Sequence, residues 1–428
     1  MFLNLLKSRQ FAPLFWCQFF SAFNDNFVRQ MIALMILFRF GVEDTGALVS
    51  LAIGIFVLPS LFLSGLGGEI ADSHDKAKMA RVLKFAELLV QAVAALGFYL
   101  QSIELLFVVL FGLGVLAALF GPIKYGILPD QLKPEQLPSA NALIEGATFI
   151  AIVLGLLIGG YVIEHARSAF SMMLQLMGVA LACWLTSLLI PYTARATADL
   201  KPRFNVFAAT GQLVSLIKAD QNLWLGGVSV SLFWMTGAIA LSLIPLLVKQ
   251  ELGGGVDVET AISALFALGV GVGSIMAAIV AHGKITMRYV SAPGLLMSVF
   301  LLDLAWLSSA LSRVQEQISL TEFFVSFTGL RLAVDVVGLA AMAGLFVVPA
   351  FAAVQSWAKS DQRARVVAGV NILNAIFMVA GSAIVSFLQS SVIGATLPTL
   401  LVGVAFVHAA GVFWVAMRSP DRSWPLPL

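Results

Sequence analysis

Twelve stretches of this chain stay apolar for about twenty residues or more, the length an α-helix needs to cross the hydrocarbon core of a bilayer. Broken at polar clusters, they run roughly over 11–38, 46–69, 79–101, 104–127, 138–163, 169–191, 221–248, 259–281, 287–311, 324–351, 366–390 and 395–418. Over 428 residues the chain is 60% hydrophobic and 11% charged, whereas a soluble domain carries about 25% charged residues. No water-soluble core of this size hides so much apolar surface, so lipid is the solvent for most of it. The expected class is an all-α membrane protein of twelve transmembrane helices. The first run is too long for a cleavable signal and holds the polar set "FNDN", so it reads as a retained first span.

The long polar connection sits in the middle, at 192–220, with Arg195, Lys201, Pro202, Arg203 and Lys218. This divides the chain into a six-helix bundle over 1–191, a linker over 192–220 and a second six-helix bundle over 221–428. Basic residues fix the expected orientation. With the N-terminus inside, nineteen Lys and Arg fall at inner loops and helix ends, among them Lys76, Arg81, Lys84, Lys124 and Lys201. Four fall outside: Arg39, Arg167, Lys249 and Arg313. Both termini and the linker are therefore expected in the cytoplasm.

Several function classes lack their residues. Net charge is +2, which gives nucleic acid no basic surface. Cys17 and Cys183 stand apart in apolar runs, and His74, His165, His282 and His408 have no ligand spacing, so neither metal nor cofactor is expected. A phosphate loop of the GxxxxGK[ST] type is absent, which argues against an ATP-driven pump. No His has an Asp five residues later, the spacing expected of a lysolipid acyltransferase. "GVGVGS" at 269–274 reads as close helix packing rather than as a phosphate loop.

The halves echo each other. "GPIKYGILPDQLKPEQLPSANALIEGATF" meets "VPAFAAVQSWAKSDQRARVVAGVNILNAIF" at an offset close to 230 residues. Each has a Pro near the end of an even-numbered span (Pro122, Pro349), a polar loop and an Asn-bearing start to the next span (Asn141; Asn371 and Asn374). Parallel six-helix halves are the mark of the major facilitator fold. "GGEIADSHDKAKMAR" resembles a motif of that superfamily through Gly68 and Asp72, although its basic continuation is replaced by Asp75, Lys76, Lys78 and Arg81.

"FFSAFNDNFVRQ", "KYGIL", "SANALIEGATFIAIVLG" and the stretch around Asp72 together resemble the bacterial lysophospholipid transporters of the major facilitator superfamily. The resemblance is strongest over 11–165; the second half matches mainly in layout and in "GVNILNAIF". It implies a non-enzymatic carrier in the bacterial inner membrane, expected as a monomer, that flips lysophosphatidylethanolamine-type lipids to the cytoplasmic leaflet for re-acylation. Alternating access with a lateral opening is the implied mechanism. It also implies membrane lipids as surroundings and functional coupling to an acyltransferase and acyl–acyl-carrier-protein synthetase. Such enzymes would be either separate or fused behind the transporter. The alternative is a facilitator for a soluble or amphipathic small molecule, as in drug efflux or nutrient uptake.

Ionisable groups at membrane depth are costly and mark candidate sites. Asp25 and Arg29 are one turn apart on the first span, and Arg331 and Asp335 repeat the spacing on the tenth in reversed order. In the major facilitator fold both spans line the central cavity. The arginines would take a lipid phosphate and the aspartates its ammonium; otherwise each pair neutralises its own burial. The resemblance implies a cavity arginine on the seventh span, but "SLFWMTGAIALSLIPLL" has none. Either Arg331 takes its place or headgroup selectivity differs. Asn24 is placed either to orient Asp25 or to bond a neighbouring helix. Glu145 either contacts substrate or joins a network with Asn141 or Asn374. Glu87 and Asp303 read as scaffold residues. Asp72 and Gly68 are the candidate gate. Lys124, beside Tyr125, is either a second gate residue or a snorkelling interfacial lysine.

Overall fold

The computed structural model of the chain describes residues 2–41, 44–133, 136–165, 168–193, 206–281, 287, 290–311, 317–359 and 363–419. Its regular structure is helical, with one isolated bridge between Gly254 and Ile318 among the described residues. A short α1 (Phe2–Leu6) precedes six long helices: α2 (Ala12–Phe38), α3 (Thr45–Ser73), α4 (Lys76–Leu100), α5 (Ile103–Gln131), α6 (Leu137–His165) and α7 (Ala169–Leu188). After α8 (Val206–Lys218) come α9 (Gln221–Gln250), α10 (Val256–Ala281) and α11 (Ser291–Ala310). A short α12 (Leu320–Val325) leads into α13 (Phe327–Trp357), α14 (Arg363–Gln389) and α15 (Leu397–Arg418).

The long helices fall within a turn or two of the expected spans, and several of them begin at a residue that caps the helix. Asp75, Ser102, Ser168 and Asp220 each accept a backbone N–H from the first turn that follows them. Ser319 caps α12 in the same way, and Glu322 returns its carboxylate to the Ser319 N–H and hydroxyl, both at 2.8 Å. The backbone N–H first, and the hydroxyl second, hold the Glu322 carboxyl below its ordinary range. Its contribution to stability is therefore present above the ordinary Glu pKa and lost as pH falls through the depressed one.

Twelve long helices stand at the expected spans, and among the described residues eleven of them are long and apolar enough by composition to cross a membrane. The remaining long helix is α2, whose 27 residues include Gln18, Asn24, Asp25, Asn26, Arg29 and Gln30. Most of these polar groups are turned into the protein, which is how a helix of spanning length carries them. Inside the linker, α8 forms over Val206–Lys218. Its Leu213 and Ile217 are buried, and both lie against Gly369 of α14.

The described helices gather into two compact units, Met1–Phe40 with Ile55–Thr210, and Gly41–Gly54 with Gly211–Leu428. The short segment joins the second unit through hydrogen bonds. Ser50 Oγ donates to Gln389 Oε1 at 2.8 Å and pairs with Ser242 Oγ at 3.1 Å, while Ser386 Oγ donates to the Ala47 carbonyl at 2.9 Å.

Small residues set the helix spacing in both units, as expected where lipid supplies no hydrophobic drive between helices. In the first, a Cβ on Gly155 of α6 would stand 2.8 Å from the Phe23 carbonyl of α2, and one on Gly159 3.0 Å from that of Phe27. Gly114 of α5 faces the Phe56 carbonyl of α3. In the second, a Cβ on Gly344 of α13 would stand 2.5 Å from the Val270 carbonyl and 2.6 Å from the Ser274 nitrogen of α10. Gly114 and Gly344 share the offset of the internal echo, so the repeat extends to packing. Because backbone cannot yield as a side-chain tip does, Gly344→Val is expected to cost at least the usual overpacking penalty of about 1–3 kcal/mol. A lowered thermal midpoint in detergent, with Gly271→Val as the control in open space, checks this.

Candidate functional site

The first unit carries polar groups on buried helix faces beside its apolar core. On α4, Val82, Phe85, Leu89, Leu96 and Tyr99 are exposed, whereas Lys84, Glu87 and Gln91 lie on the buried face. Lys84 Nζ donates to Glu87 Oε2 and to Ser21 Oγ of α2, both at 2.6 Å, and stands 3.9 Å from the centre of the Phe120 ring of α5. Asn24 Nδ2 donates to Glu87 Oε1 at 2.7 Å. Lys84 and Glu87 are each 2% exposed and Asn24 fully buried. One carboxylate thus has both oxygens met by groups from two helices, the condition under which a buried ion pair is tolerated.

Asp25 and Arg29, beside this core, are only partly buried. They do not pair in the expected way. Arg29 Nη2 donates to Asn26 Oδ1 at 2.5 Å and Nε to the Asp25 backbone carbonyl at 3.2 Å, and the guanidinium covers the Phe56 ring at 4.5 Å. Those partners hold the guanidinium near its own helix, because Nε reaches the carbonyl one turn back. The Asp25 carboxylate has Glu87, Lys84, Arg29 and Lys124 as its charged neighbours, drawn from α2, α4 and α5. Lys124 is half-buried, with Nζ 4.7 Å from the Tyr125 ring centre. Partly accessible Asp25, Arg29 and Lys124 therefore surround a sealed Asn24–Glu87–Lys84 support. An anion with a cationic tail could meet opposite charges on such a patch.

Lys84 was not expected here. Counted among inner loop ends, it instead lies eight residues into α4, about 12 Å along the helix. The signal was its spacing, since Lys84 and Glu87 are three apart on a helix that must bury one face. Glu87, expected as scaffold, is the residue that ties that lysine to Asn24.

At the α3–α4 junction, the Asp72 side chain lies outside the described residues, and a Cβ on Gly68 would meet open space. The described bonds run through its neighbours. Asp75 Oδ1 accepts from the Thr193 hydroxyl at 2.9 Å, Arg81 donates to the Ile190 carbonyl at 2.7 Å, and Lys76 Nζ donates to Asp130 Oδ2 of α5 at 2.7 Å. Side chains of Asn141 and Glu145 also lie outside the described residues. Asn374 accepts a hydrogen bond from Ser231 of α9 at 2.9 Å.

In the second unit, Arg331 turns away from the simple pairing with Asp335. Its Nε donates to Asp303 Oδ2 of α11 at 3.1 Å and its Nη2 to Asp303 Oδ1 at 2.5 Å, with the guanidinium 4.3 Å from the Trp306 ring centre. Close packing of α11 on α13 brings Asp303 to the arginine, and the bidentate fork favours it. Nothing in the spacing of Asp303 to Arg331 along the chain signals this pair. No group of metal-ligating side chains occurs among the described residues.

The family model described as Major Facilitator Superfamily matches residues 14–330. The curated "Lysophospholipid transporter LplT" of Yersinia pestis (strain Pestoides F) is 30% identical over 279 residues, covering 63% of this chain and 64% of that protein. The protein of the same name from Yersinia pseudotuberculosis serotype O:3 (strain YPIII) matches to the same extent. The matched region thus spans 64% of the length of these relatives. Among solved structures, the POT family transporter PepTSo superposes with a TM-score of 0.71 at 13% identity, over 96% of this chain and 97% of that one. A D-xylose-proton symporter does so with a TM-score of 0.69 at 11% identity, over 96% and 98%. At these identities the likeness is one of fold.

Proposed function

The chain belongs to the major facilitator superfamily, and from that premise we propose that it transports lysophospholipids across the bacterial inner membrane. The carrying observation is the patch of Asp25, Arg29 and Lys124, three partly accessible charges on α2 and α5 beside the buried Asn24–Glu87–Lys84 group. A single-chain lipid with a zwitterionic headgroup presents one phosphate and one ammonium. Arg29 and Lys124 suit the first and Asp25 the second. The curated relatives called lysophospholipid transporters support the same substrate class.

In this reading alternating access carries the lipid to the cytoplasmic leaflet, both termini and the 192–220 linker face the cytoplasm, and re-acylation by a separate enzyme follows. In the first unit Glu145 joins this headgroup set, and Asp72 and Gly68 serve the gate. Asn24 acts through Glu87 as a positioning residue.

Ligand-induced stabilisation tests the substrate class, since a ligand bound only by the folded state raises the melting temperature with its concentration. Lysophosphatidylethanolamine is expected to raise the midpoint of the purified protein against a diacyl-lipid background. A rise with a sugar, peptide or drug cation but with no lysolipid would replace this reading with a soluble-substrate facilitator.

A further inference from the structure

We propose that Asp335 is a proton-binding site, holding with Asp303 one exchangeable proton between two carboxylates. Asp335 is 5% exposed, and its Oδ2 is a buried atom without a hydrogen-bond partner. The guanidinium that could neutralise it is committed elsewhere, because Arg331 sends both Nε and Nη2 to Asp303. The Asp335 and Asp303 side chains are close neighbours. Neither can donate unless one carries a proton, and two adjacent carboxylates do not both ionise readily. The cluster has two acids and one base on apolar helices, and a bare carboxylate there is costly. One proton removes that excess, gives Asp335 an O–H to donate to Asp303, and leaves Asp303 charged for Arg331.

Among the described residues, the other helices packed on α13 do not supply a competing cation. On α11 the charged residue is Asp303, and on α13 itself Arg331 is the base. The charges of α9, α10, α12 and α14 lie near helix ends: Lys249, Asp257 and Glu259, Glu322, and Arg363 with Arg365. His408 of α15 meets α13 at Phe346, eleven residues from Asp335 and so about 16 Å along the helix, with its Nδ1 on Thr236. Asp303 and Arg331 have side chains 33% and 23% exposed, so the pair is not sealed inside the protein. Exchange is a simple acid–base step: the O–H bond breaks, its electron pair stays on the carboxylate and the proton passes to water. The proton belongs to the pair, so titration reports both acids together.

This site does not depend on the substrate. Infrared difference spectra of the full chain in nanodiscs, titrated through neutral and alkaline pH, read it directly. The wild type is expected to show a protonated-carboxyl stretch at neutral pH that is lost on alkalinisation. Asp335→Asn, close in shape and charge to the neutral acid, should fold and lack one carboxyl's worth of that band; Asp25→Asn should not remove the same band. Asp303→Asn frees Arg331 to pair with Asp335 and should also abolish it, which keeps the test open if Asp335→Asn fails to fold. A band unchanged in both Asp335→Asn and Asp303→Asn overturns the proposal. So does its loss on exchanging choline for sodium at constant pH, which would make the ligand a metal cation.

Discussion

Replacing Lys84 with alanine is expected to destabilise the first unit by roughly 3–5 kcal/mol, the usual cost of removing one partner of a buried ion pair. The size follows from what is left behind. Among the described residues Glu87, 2% exposed, would lose the cation it bonds and keep the neutral donor Asn24. Ser21 would lose the same ammonium, and the Phe120 face its cation. Lys84→Met with Glu87→Leu should recover much of the loss, because an apolar pair of similar volume leaves no unpaired charge. Denaturation midpoints of the two single variants and the double variant, read as a cycle, separate the pair from its surroundings. Single losses below about 1 kcal/mol would mean that the pair is a surface-like contact and that the sealed support is misread.

Arg29→Ala is expected to lower lysophosphatidylethanolamine transport by about ten- to a hundred-fold at equal membrane abundance. A charge-assisted hydrogen bond is worth roughly 1.5–3 kcal/mol, and each 1.4 kcal/mol is a factor of ten. Its hydrogen-bond partners, Asn26 and the Asp25 carbonyl, lie on its own helix, and its approach to another helix is the cation–π contact with the Phe56 ring of α3. The fold should therefore persist while the phosphate contact is lost. A monoacylglycerol, with no phosphate, should be carried equally by wild type and variant. Asp25→Asn should instead impair amine-bearing headgroups more than glycerol ones. Equal impairment of every lipid by both variants would make them structural.

Helix positions were legible because the apolar runs are long and end in Asp, Ser and Pro, whose capping and helix-breaking chemistry is local. α8 was hidden: thirteen residues inside a polar linker do not reach spanning length, and its seat on Gly369 is a tertiary fact. The acids and bases of the site were visible as costly residues in apolar sequence, but their partners were not. Four-residue spacing pointed Arg29 at Asp25 and Arg331 at Asp335; folding gave Arg29 to Asn26 and Arg331 to Asp303. Spacing reports only a helix's own neighbours, whereas Asp303 reaches Arg331 because α11 packs on α13. Lys84 was misplaced for a related reason. Charge counting assigns lysines to loops, and only the Glu87 pair makes burial affordable two turns into a span.

The most direct measurement of the central claim is lysolipid movement by the purified chain in liposomes. Short-lived labelled lysophosphatidylethanolamine would be placed in one leaflet and its loss from that leaflet followed by quenching or enzymatic access. Wild-type protein is expected to speed equilibration well above protein-free vesicles, with Arg29→Ala reducing the protein-dependent rate at least tenfold. Vesicles in which verified, folded wild-type protein moves no lysolipid faster than the bare bilayer would contradict the account.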